Sequence, residues 1–153
     1  MQARPDTGRS NIPPSTGIRI PVDEMQDFIR SLFVKVGVSG DRAEHMAVTL
    51  VANDARCVFS HGTRQVCGYV PQIREGKANP NPGVSVVSES EATAVVDGDG
   101  GLGYFASHRG MEVAIQKALG VGSATVTTRN HFHFGAAGNY SRMALPQLAR
   151  MIA

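Results

Sequence analysis

The sequence predicts an α/β protein in which N-terminal helices come first and a mixed α/β unit follows. Apolar residues from Met25 to Val51 recur at the i, i+3, i+4, i+7 spacing of amphipathic helices. Beyond Asn79 the pattern switches to short strand-like runs and then back to helix. Between the two patterns, Asn79-Pro80-Asn81-Pro82-Gly83 cannot continue a helix and marks a turn into different structure.

In order along the chain, Met1 to Thr16 are polar and rich in Pro, Gly and Ser, without the apolar centre of a secretory signal, so residues 1–18 are assigned as a disordered leader. Met25, Phe28, Ile29, Leu32, Phe33 and Val36 line one face of a first helix, and Gly37 is placed to end it. After a cap at Ser39 or Asp41, Ala43, Met46, Ala47, Leu50 and Val51 repeat the pattern in a second helix. The two are expected to pack as an antiparallel pair, the second running through Asp54 and Arg56 toward Ser60-His61-Gly62. A third, shorter helix covers Val66 to Arg74, although Gly68 and Pro71 oppose it. Residues 19–78 thus form a helical region.

Val84, Val86 and Val87 precede a polar break at Ser88-Glu89-Ser90-Glu91, and Ala92 to Val96 follow it, giving two short strands suited to a hairpin. A helix from about Tyr104 to Leu119, with Met111, Ala114, Ile115 and Ala118 on one face, leads to a strand from Ser123 to Thr128. Residues 79–153 are therefore assigned to an α/β region, and there is no internal repeat.

The composition of this 153-residue chain, 42% apolar and 18% charged, describes an ordinary globular protein long enough to bury a core. A formal charge of +2 with no extended basic run gives no reason to expect nucleic acid. No apolar stretch approaches the ~18 residues of a membrane helix, which makes a cytoplasmic protein without a membrane the default. Cys57 and Cys67 match neither a CxxC redox pair nor a zinc framework and read as free thiols in a reducing compartment. Cys57 lies four residues before His61, so the two would share a face if a helix ran through both. That is a weak metal signal, and no metal is predicted.

The candidate chemistry sits in two segments. Asn130 to Asn139, NHFHFGAAGN, places His131 and His133 beside a glycine-rich run expected to open a helix, and His61 lies in Ser60-His61-Gly62-Thr63-Arg64-Gln65. Imidazole gives and takes protons near neutral pH, and small neighbours let a flat ligand approach the backbone. A third segment, Gly98-Asp99-Gly100-Gly101-Leu102-Gly103, satisfies G-x-G-x-x-G between a predicted strand and a predicted helix. A dinucleotide site of that kind expects an acid at the end of the next strand, where this chain has Thr127-Thr128-Arg129-Asn130. Arg129 would suit a 2'-phosphate, but Asp97 and Asp99 put negative charge where a pyrophosphate should lie. A tight turn into a helix is the preferred reading.

The segments SHGTRQ, GKANPNPG, ATAVVDGDGGLGYF and RNHFHFGAAGNYSRMA, in that order, resemble those of the malate/L-lactate dehydrogenase family, NAD(P)-dependent oxidoreductases outside the Rossmann class. The resemblance runs from about Pro21 to the last residue. It implies the fold of that family, cut short, since members are much longer. It also implies NAD or NADP as cofactor, a small 2-oxo or 2-hydroxy acid as substrate, as in the ureidoglycolate and sulfolactate dehydrogenases, and a homodimer. His133 matches the histidine of the family's N-x-x-H-F-G segment and His61 that of its S-H-G segment, and either is the candidate proton donor. Ser60, Arg64, Gln65 and Tyr69 are the implied substrate-side residues, Asn130 and Gly135 the implied cofactor-side ones. Tyr69 and Asn130 suit local packing or a turn equally well. Many relatives carry arginine where this chain has Gln65, so either Arg64 takes over the carboxylate contact or the substrate differs. His131 stands where relatives often have a small polar residue, and solvent exposure is its default. Two other readings stay open. One is a noncatalytic remnant, suggested by the break at Met151-Ile152-Ala153. The other is a small metal-binding protein using His131, His133 and Cys57.

Overall fold

Pro21, with its fixed φ, precedes the helix α1 (Val22–Lys35), whose first turn holds Asp23 and Glu24 and whose last holds Lys35, a charge order that suits the helix dipole. The computed structural model describes residues 11–12 and 16–146, and the chain divides into two compact units at Arg74/Glu75. The leader expected over residues 1–18 falls largely outside the described residues, as does the segment 147–153.

In the first unit, α1 buries Ile29 and Phe33 against α2 (Gly40–Ala55), which contributes Ala43, Met46, Ala47, Leu50 and Val51. Gly37, at φ 91°, ends α1 as its position predicts. The Val38 and Gly37 amides turn back to the Phe33 and Val34 carbonyls, the Schellman closure of a helix C-terminus. Ser39 is the N-cap residue of α2, with Asp41 in the first turn. The expectation that α2 continues through Arg56 is corrected: the helix stops at Ala55, and Cys57 takes a left-handed φ of 59°. Cys57 and His61 therefore do not share a helical face. Two 3-10 turns, Phe59–His61 and Thr63–Gln65, lead into α3 (Val66–Arg74). That helix forms despite Gly68 and Pro71 because Val66, Tyr69 and Ile73 are buried along one side, and packing outweighs local propensity.

The second unit is a three-stranded sheet in the order β1 (Ser85–Glu89), β2 (Thr93–Gly101), β3 (Thr125–His131). β1 and β2 form the expected antiparallel hairpin, with the turn closed by Ser90 and Thr93. β2 and β3 are parallel, joined by the crossover helix α4 (Gly103–Val121). Both strands outrun their predicted ends. β2 passes Val96 through the glycine run, with a register shift between Asp97 and Gly101. β3 reaches His131 rather than Thr128. Ala94, Val96, Leu102, Tyr104, Ala106 and Val113 are buried. Gly110 lets α4 approach the sheet, since a Cβ there would lie 3.1 Å from Thr128 Cγ2. Gly122 ends α4 at φ 90°. The helix expected in the glycine-rich run is the short α5 (Gly138–Ser141). Among the described residues no helix is long and apolar enough to cross a membrane.

Candidate active site

The Ser60–Gln65 loop is held from the last turn of α2. Asn53, fully buried, donates from Nδ2 to the His61 carbonyl at 2.9 Å and accepts from Arg56 at 2.9 Å. One oxygen of Asp54 accepts both the Thr63 amide at 3.0 Å and the Thr63 hydroxyl at 2.6 Å. Gln65 turns its amide onto the Ser60 carbonyl, and Asn11 accepts the Ser60 amide at 3.1 Å. The half-buried His61 ring meets the Ser60 hydroxyl through Nδ1 at 2.8 Å. Arg64 is exposed, and its side chain makes no hydrogen bond or ion pair with a described residue. Tyr69 is buried on α3, at 3% exposure, a packing position within its own unit.

In the second unit the other predicted residues lie along the end of β3. Asp97 receives the Arg129 guanidinium and the Asn130 amide, each at 2.9 Å, and the Asp99 backbone amide at 2.9 Å. Those hydrogen bonds hold its carboxyl below the usual aspartate value, the Asp99 amide contributing most. Asn130 sits at φ 52°, a conformation asparagine tolerates better than most residues. The solvent exposure expected of His131 is corrected: it is half-buried, with Nδ1 at 2.7 Å from the Phe132 carbonyl and Nε2 at 2.8 Å from the Thr128 hydroxyl. A carbonyl can only accept, so Nδ1 carries a proton. His133 is exposed, and its backbone carbonyl accepts from Gly103 at 3.0 Å. Gly135, at φ 79°, lies against the Tyr104 ring, where a Cβ would come within 2.5 Å of the hydroxyl. Among the described residues no three His, Cys, Asp or Glu side chains are gathered so as to hold a metal ion.

The G-x-G-x-x-G run is a packing motif. A Cβ on Gly98 would lie 2.7 Å from His131 Cβ, on Gly101 2.5 Å from Pro82 Cγ, and on Gly103 2.5 Å from the Phe132 carbonyl oxygen. Gly100, the middle glycine of the pattern, instead stands at φ 66° with open space where its Cβ would be. Asp99 binds the Gly83 amide at 2.8 Å and the Asn79 side chain at 3.0 Å, so the Asn79–Gly83 turn is laced onto the same run. Arg129, considered for a 2'-phosphate, is exposed and forms an ion pair with Asp97 at 2.9 Å.

The profile of the malate/L-lactate dehydrogenase family matches residues 20–151. The chain belongs to that family. It is similar to a malate dehydrogenase of Pyrococcus horikoshii, 40% identical over 127 residues, which are 83% of this chain and 35% of the relative. It is also similar to an L-sulfolactate dehydrogenase of Methanocaldococcus jannaschii, 43% identical over 113 residues, 74% of this chain and 33% of the relative. The solved structure of the P. horikoshii malate dehydrogenase superposes with a TM-score of 0.80 at 39% identity, covering 85% of this chain and 37% of that one. The sulfolactate dehydrogenase structure from M. jannaschii gives 0.78 at 40% identity, covering 82% and 37%. The chain thus spans about a third of the length of the curated relatives it matches. The mixed α/β architecture is the one these relatives share, as the resemblance implied.

Sequence reasoning passed over Asn53, Asp54 and Thr63. A signal for Asn53 was present: it follows Met46 and Leu50 at helical spacing and so falls on the apolar stripe of α2, where a polar side chain needs a partner.

Proposed function

We propose that the Ser60–Gln65 loop is the acid-handling side of a dehydrogenase acting on a small 2-oxo or 2-hydroxy acid. The observation that carries this reading is the pairing on one loop of an imidazole oriented by Ser60 with an arginine that no described residue engages. Reduction of a 2-oxo acid needs a proton at the carbonyl oxygen as hydride reaches the carbon, and a cationic partner for the carboxylate. His61 serves the first need and Arg64 the second, with Ser60 fixing the ring and Gln65 fixing the turn. NAD or NADP supplies the hydride when bound. The Gly98–Gly103 run is not proposed for its pyrophosphate, since Asp97 and Asp99 put negative charge there and Gly98, Gly101 and Gly103 pack against His131, Pro82 and Phe132. Asn130 and Gly135 remain the residues proposed near the dinucleotide, and His133 the other candidate proton donor. Homodimer formation, a cytoplasmic location and the division into leader, helical region and α/β region belong to the same proposal. It is supported by the family match and by the order of its motifs.

The test is NADH and NADPH oxidation by the purified chain with oxaloacetate and with pyruvate, in wild type, His61→Asn and Arg64→Ala. Turnover that falls at least about a hundredfold in His61→Asn is expected for a lost general acid. Undiminished turnover in that variant overturns its role.

A further inference from the structure

The geometry points to Asp54 and Thr63 as a positioning pair that aims the His61 ring, an assignment that rests on the acid/base role proposed for His61. The backbone is tied on both sides of the imidazole. The His61 carbonyl is held by Asn53, and two residues on, Thr63 gives both its amide and its hydroxyl to one carboxylate oxygen of Asp54. Gly62 between them is pressed against that carboxylate, so closely that a Cβ would stand 1.6 Å from Asp54 Oδ1. Hydrogen bonds to a carboxylate are stronger than neutral ones, and Asp54 sits on the last turn of a helix whose Leu50 and Val51 are buried. The loop itself is two 3-10 turns of three residues, a form with poorer hydrogen-bond geometry than an α-helix. Ser60 meets the ring itself, and the ties from α2 hold the backbone that carries both residues, without which a loose imidazole would no longer meet the carbonyl oxygen it protonates.

The test compares wild type, Thr63→Val and Thr63→Ser by the NMR signals of a chain labelled with 15N-histidine, the His61 signals being assigned with His61→Asn. Thr63→Val keeps the amide bond and removes the hydroxyl bond. The expected result is displaced and broadened His61 ring signals with wild-type circular dichroism, and recovery in Thr63→Ser. The kcat of Thr63→Val should fall about tenfold while the KM for the dinucleotide stays within about twofold, since a misplaced group costs turnover rather than cofactor binding. Should Thr63→Val not fold, Asp54→Asn keeps an acceptor oxygen, removes the charge and gives the same readout. His61 signals unmoved in a folded variant overturn the positioning role. A wild-type chain without turnover sinks the dehydrogenase reading alone, and the ring signals still decide whether Asp54 and Thr63 aim the imidazole.

Discussion

The Ser60–Gln65 loop and the Arg129–Gly135 segment contain the same kinds of residue and use them in opposite ways. In the first, polar groups from α2 reach in and hold the backbone, and Arg64 stays uncommitted. In the second, Arg129 and Asn130 are spent on Asp97, both His131 nitrogens have partners within the chain, and Gly135 is stacked on Tyr104. Histidine, arginine and glycine in a motif therefore say little about chemistry by themselves. What matters is whether the fold has already supplied their partners.

The largest break of that contrast is Gly103→Ala. Its methyl group would meet the Phe132 carbonyl, the His131 ring and Phe134 at 2.5 to 2.9 Å, so a loss of about 3 kcal/mol in chemical denaturation is expected for overpacking against backbone. Arg64→Ala should leave the unfolding midpoint unchanged and lower kcat/KM for a 2-oxo acid by roughly 1.5–3 kcal/mol, about ten- to a hundredfold, the worth of a charge-assisted contact. An equal loss on Arg129→Ala would erase the distinction between the two arginines. Gly68→Ala acts in the other direction. That glycine is exposed in α3, a methyl group added there would meet nothing within 4 Å, and a gain of about 0.5–1 kcal/mol in stability is expected.

The smallest effect is a pH dependence. The folded-state pKa of Asp97 lies below its ordinary value of 3.8, chiefly through the Asp99 amide and then through Asn130 and Arg129. A depressed carboxyl contributes stability above the unfolded value and loses it as pH falls through the folded one. Thermal unfolding scans below pH 4 should therefore be shallower in pH for Asp97→Asn than for wild type, and parallel curves would show that the Asp97 cluster does not couple to folding.

Much of the architecture was legible. The apolar spacing of Phe33, Met46 and Leu50 gave α1 and α2, and the switch from alternation to helix around Tyr104 gave the strand–helix–strand order, because burial imposes those periods directly. The charge of Asp97 and Asp99 favoured a structural reading of the glycine run, and Asp99 ties the Asn79–Gly83 turn onto it. The far end of β2 was not legible, because its extension through Asp97–Gly101 depends on a register shift against β3, a property of two distant segments. Nor was the end of α2, where the Asn53 carbonyl accepts the Val58 amide while its side chain holds the His61 carbonyl, which stops the helix from outside its own propensity. The half-burial of His131 was missed for the same reason: its partner Thr128 shares the strand, but the cover comes from Gly98 and Gly103.

The parallel pairing of β2 with β3 also orders events in time. Ser88 meets Val95 across a short turn, whereas Thr93 meets Thr125 only after the whole of α4 has been crossed. Closing the longer loop costs more chain entropy before any pairing repays it. The hairpin contacts are therefore expected to form before those of β3, which dock together with the helix. Asp97 meets Arg129 and Asn130 at that last step, which makes the cluster a late reporter of assembly and a poor seed for it.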